Sequence, residues 1–84
     1  EELDNLERHP AGFDNLEEAK KIFVITAVAN NPRKYAKLLR HMATTNRDYF
    51  VLSIVMMKPD DRKWAITALK DEVTKAVETI ASYM

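Results

Sequence analysis

The 84 residues contain no cysteine, a single glycine and no apolar run long enough to cross a bilayer. Each absence closes off a class of function. Without cysteine there is no disulfide framework, no thiolate nucleophile and no sulfur-bound metal. This suits a reducing compartment, so an intracellular, cytoplasmic setting is expected. One glycine, Gly12, cannot build a glycine-rich phosphate loop. The longest nearly unbroken apolar stretch, Tyr49 to Met57, falls far short of the roughly 20 residues a spanning helix needs. No membrane is expected as a partner.

Catalytic material is also scarce. His9 stands before Pro10, and His41 lies among cations, a poor setting for a metal ion. No histidine pairs with another histidine or a carboxylate at the spacing that puts ligands on one helix face. Asp60 and Asp61 are adjacent acids at an expected helix start, where they read as a cap. Ser53, alone in an apolar segment, is expected to bond a carbonyl one turn back. The chain therefore offers no catalytic residue, metal site or cofactor site, and is read as not an enzyme. The remaining enzymatic option is a subunit lending residues to a shared site.

Charge is present but sorted. From Ala19 to Arg47 there is no Asp or Glu, while Lys20, Lys21, Arg33, Lys34, Lys37, Arg40 and Arg47 fall there. Ahead of them stand Glu1, Glu2, Asp4, Glu7, Asp14, Glu17 and Glu18, with only Arg8 of opposite sign. The formal net charge is zero. Segregation of this kind locates where a charged partner could sit even when total charge vanishes.

The length fits one domain with one modest core, burying roughly 60–65% of the unfolded chain's surface. Residues 1–12 read as an acidic N-terminal arm and 13–84 as the folded domain. Leu3-Asp4-Asn5-Leu6-Glu7 recurs ten residues later as Phe13-Asp14-Asn15-Leu16-Glu17. Asp14 followed three residues on by Glu17 has the form of a capping box, so the repeat reads as two helix starts or as a reused docking motif.

A first firm helix is expected from about Asn15 to Ala29. A second, from about Pro32 to Ala43, would take Asn31 as N-cap and Pro32 at its first position. Tyr35, Leu38, Leu39 and Met42 would face the core, with Arg33, Lys34, Lys37, Arg40 and His41 outside. Tyr49 to Met57 has only Ser53 as a polar residue and is expected to be buried on all sides. Aspartate at Val51, Leu52 or Ile54 should then unfold the domain. A last helix, about Asp61 to Tyr83 and roughly 35 Å long, would carry the seam Ile66, Leu69, Val73, Ala76, Ile80 and Tyr83. That seam fits the core of the chain or a two-fold homodimer contact.

Segments 22–28 and 49–57 are rich in β-branched and aromatic residues, and their period alone fits helix or strand. The expected fold is an all-α compact bundle of three to four helices behind the arm. The alternative is an α/β fold with a β-α-β-α unit, whose two strands would need a partner's sheet.

The stripe Arg33, Lys34, Lys37, Arg40 and His41 is the leading candidate partner-binding surface. It reads as the contact for an acidic protein surface, as a nucleic-acid-backbone contact, or as a solvated face neutralised by the chain's own acidic arm. Arg33 and Lys34 would oppose the macrodipole in the first turn, a cost that an anion bound there would offset. Trp64 falls nearly opposite the last helix's apolar seam. It either packs beneath Pro59 or the arm, or anchors a partner. A helix-turn-helix reader is disfavoured, because Tyr49 to Met57 offers no polar side chains to base edges. The function expected is a non-enzymatic protein–protein interaction domain, with an accessory nucleic-acid-backbone binder as the alternative.

Overall fold

Both segments of ambiguous period are helical, which decides the class. The computed structural model describes residues 2–82. Six α-helices follow one another: α1 (Glu2–Arg8), α2 (Glu18–Asn30), α3 (Ala36–Thr45), α4 (Arg47–Met56), α5 (Pro59–Ala68) and α6 (Lys70–Ala81). A 3-10 helix, Pro10–Asn15, joins α1 to α2. The described residues contain no strand, so the fold is all-α and the β-α-β-α alternative is overturned. The helices are also shorter and more numerous than the three to four expected.

Local features of the chain account for the difference. Asn31 does not open the second helix; its N–H closes α2 on the Val28 carbonyl at 3.1 Å. Pro32 then begins a turn, closed by the Tyr35 N–H on the Pro32 carbonyl at 3.2 Å, and α3 starts only at Ala36. The capping box at Asp14 and Glu17 does not form either: α2 begins at Glu18, and Glu17, its N-cap, makes no side-chain cap bond.

The expected long last helix breaks at Leu69, where φ is −116° and ψ is 35°. Hydrogen bonds continue through the break, from Leu69 N–H to the Ala65 carbonyl and from Val73 N–H to the Leu69 carbonyl, each 2.8 Å. This is a kink, with neither glycine nor proline to announce it. It allows α5 to pack on α4 while α6 packs on α3 and α4, with Leu69 fully buried between them. A straight helix of roughly 35 Å would match the molecule's whole longest dimension of 34 Å and carry its end away from that core. Tyr83, the expected end of the seam, lies outside the described residues.

Helix α4 is central, touching α2, α3, α5 and α6. It is not enclosed, however. Phe50, Ser53, Ile54 and Met57 point inward, while Leu52, Val55 and Met56 are exposed. A chain this short has too few neighbouring helices to surround one completely. The Ser53 hydroxyl donates to the Tyr49 carbonyl at 2.8 Å, the bond one turn back that an isolated hydroxyl in an apolar helix requires. The core is filled by Phe13, Ile25, Leu38, Leu39, Met42, Phe50 and Leu69, all fully buried. The segment 1–12, read as an arm, carries α1 over most of its described length, packed on α3 with Leu6 in the core.

Candidate partner-binding surface

Helix α3 presents its apolar residues inward at the expected spacing. Leu38, Leu39 and Met42 are fully buried, and Tyr35, just before the helix, nearly so. Its cations therefore face out, but their surroundings differ residue by residue.

Lys34 Nζ lies 3.7 Å from Asp4 of α1 and 5.5 Å from the centre of the Tyr35 ring. The Asp4 carboxylate, and after it Tyr35, holds the Lys34 ammonium above the ordinary lysine value of 10.5. His41 Nε2 lies 3.0 and 3.1 Å from the two carboxylate oxygens of Asp14. The Thr45 hydroxyl and the Asn46 amide donate to the same carboxylate. Partial burial disfavours the Asp14 anion. The bonds from His41 and Asn46, the His41 charge and the Thr45 bond outweigh that, so its pKa is lowered from 3.8. Lys37 and Arg40 are exposed, and among the described residues neither side chain meets an acid.

Arg33 and Trp64, singled out separately in the sequence, meet each other. The Arg33 guanidinium lies 5.7 Å from the Trp64 ring centre, and the ring is half-buried. A cation–π contact of this kind joins the turn before α3 to α5. Arg33 and Lys34 precede α3 rather than occupying its first turn, so the expected macrodipole penalty does not apply in that form.

The N-terminus of α3 does hold an anion, and it comes from the chain itself. Glu7 of α1 accepts the N–H of Leu38 at 3.0 Å and that of Lys37 at 3.3 Å. These are two of the helix's orphan donors, capped by a residue about thirty positions away in sequence. The two copies of the repeat thus converge on one helix. The first copy holds the N-terminal end of α3 through Asp4 and Glu7, and the second holds its C-terminal end through Asp14.

Other polar anchors also lay beyond sequence reasoning. Arg62 donates to the carbonyls of Ile54, Val55 and Met57 at 3.3, 3.0 and 2.9 Å, closing the C-terminus of α4. Arg47 bonds the Ala43 carbonyl and the Thr79 hydroxyl, tying α3 to α6. Neither has a signal in its sequence neighbourhood.

Between α1 and α2 lies an open groove of about 580 Å³, lined by Glu2, Leu3, Ala19, Lys20, Phe23 and Val24. Phe23 is 70% exposed there, and Glu2 pairs with Lys20 at 3.3 Å. Among the described residues no group of His, Asp or Glu side chains is placed to hold a metal ion, and no helix is long and apolar enough to cross a membrane. The chain matches no protein-family model, and no characterised protein or solved structure is significantly similar to it.

Proposed function

We propose that this chain is a non-enzymatic protein–protein interaction domain that binds an acidic segment of a protein partner across α3. One observation carries the reading: α3 already receives carboxylates at both ends, while Lys37 and Arg40 between them meet no acid among the described residues. A helix that binds its own acids at two places has the field and the donors to bind another chain's. The outward apolar residues of α2 and α4, Phe23 foremost, supply the uncharged contact that most protein interfaces need.

A nucleic-acid backbone is the weaker candidate. Lys34 and His41 already face carboxylates, which leaves few cations to neutralise phosphates. A homodimer along the last helix would use Ile66, Val73 and Ile80, which keep accessible surface, without Leu69 and Ala76, which are buried within the chain.

The reading is tested by identifying what co-purifies with the chain, with and without nuclease, and repeating with Lys37→Glu/Arg40→Glu. Arg33 is left intact because its substitution would disturb Trp64. The expected result is a protein that survives nuclease treatment and is lost with the double variant, whose melting stays that of the wild type. Release by nuclease, or full retention by the charge-reversed variant, overturns the reading.

A further inference from the structure

We infer that α1 is a built-in stand-in for the partner's segment: the slot it fills on α2 and α3 takes an acidic amphipathic helix from a protein partner, which displaces it. The inference rests on the reading that α3 binds acidic segments, and adds which segment and by what exchange.

Every described acid of α1 is used on the slot. Glu2 meets Lys20 of α2 at 3.3 Å, Asp4 meets Lys34 at 3.7 Å, and Glu7 caps the Lys37 and Leu38 amides. One turn of apolar contact accompanies them, with Leu6 buried and Leu3 half-buried. Two leucines three residues apart and acids at the start and end therefore define what the slot recognises.

The hold on α1 is weak compared with the slot itself. Seven residues are too few for a helix that persists on its own. Both ion pairs are solvent-exposed, with side chains 39–60% accessible, and such pairs contribute little. The slot is also wider than its occupant. The groove of about 580 Å³ stays open along the α2 side, with Phe23 70% exposed on its wall. A partner helix with a larger apolar side chain would keep the acidic contacts and cover Phe23 as well.

An internal ligand on a short tether competes at an effective concentration in the millimolar range. An external segment therefore binds weakly until α1 is loosened, and apparent affinity rises with the fraction of open slot.

The test uses the full chain and a fluorescent peptide of the α1 sequence, ELDNLER. A control peptide has Lys in place of each acid. The peptide should bind the Asp4→Asn/Glu7→Gln variant at least about tenfold more tightly than the wild type, and the control should bind neither. Equal affinity for both proteins, or no binding to a folded variant, overturns the inference. If that variant does not fold, amide exchange of the wild type decides. Excess peptide should speed exchange over residues 6–9, whose amides carry the hydrogen bonds of α1, while the Lys37 and Leu38 amides stay protected by the peptide's glutamate. Unchanged exchange in α1 overturns the inference. Failure here, with partner binding still lost in Lys37→Glu/Arg40→Glu, would leave the proposed function standing and remove only the exchange.

Discussion

Arg62 illustrates how much a single side chain holds in so small a molecule. Its guanidinium serves three carbonyls at the end of α4, of which the Ile54 carbonyl also accepts the Met57 N–H at 3.1 Å. Arg62→Ala should cost about 1.5–3 kcal/mol, the range for hydrogen bonds to a charged group, read as a lower urea midpoint at unchanged slope. Two neighbours on α4 should behave oppositely. Ile54→Asp puts a charge where the residue is 8% exposed and should abolish cooperative melting. Leu52→Asp, at a position 43% exposed, should melt close to the wild type, contrary to what its apolar neighbourhood in the sequence suggests. Asp14 gives the acid limb. Its folded pKa lies below 3.8, so its contribution is complete above that value and is lost as pH falls through the lowered one. Asp14→Asn should therefore flatten the loss of stability on acidification at the lowest pH, as followed by melting temperature against pH.

At the scale of elements, α3 is stabilised from outside itself. Its N-cap, Tyr35, makes no side-chain cap bond, and Glu7 substitutes for it. Glu7→Gln keeps the size but loses the charge, and should destabilise α3 by about 1 kcal/mol. Amide exchange at Leu38 would rise first. The same long-range capping explains what could be read from the sequence. The inward face of α3 was legible because Leu38, Leu39 and Met42 fall at helical spacing, and that spacing is a local property. The caps were not. Asp14 looks like an N-cap by its neighbours, yet a better set of donors on His41, Thr45 and Asn46 takes its carboxylate. Likewise the kink at Leu69 is set by where α6 must pack, and no residue type marks it. The exposed face of α4 was hidden for a different reason: composition reports how apolar a helix is, not how many neighbours the chain can supply. Of the candidate surface, the sequence identified the cations correctly as outward-facing but could not say which were already paired, because their acids lie about thirty residues away.

At the scale of the whole molecule, the charge sorting along the chain becomes a fold in which the acidic head lies on the basic middle. The radius of gyration, 11.8 Å, is that of a compact domain of this length, about 12 Å, so opposite charges are brought within a few ångströms. Leu6, the Glu7 cap and the exposed ion pairs together hold α1. The burial of Leu6 is indifferent to modest salt, whereas the pairs Glu2–Lys20 and Asp4–Lys34 are exposed and screened by it. Raising ionic strength from about 0.05 to about 0.5 M shortens the screening length from well above the spacing of these charges to a value close to it. Exchange over residues 6–9, the hydrogen-bonded amides of α1, should therefore quicken with salt, while amides of α4 around Phe50 and Ile54 stay slow, since their protection comes from buried apolar contact. Sodium chloride should produce this response, and an uncharged osmolyte should not. If α1 exchanges at the same rate across that range, Leu6 and the Glu7 cap hold it unaided. The sorted charges would then act only on association with other molecules.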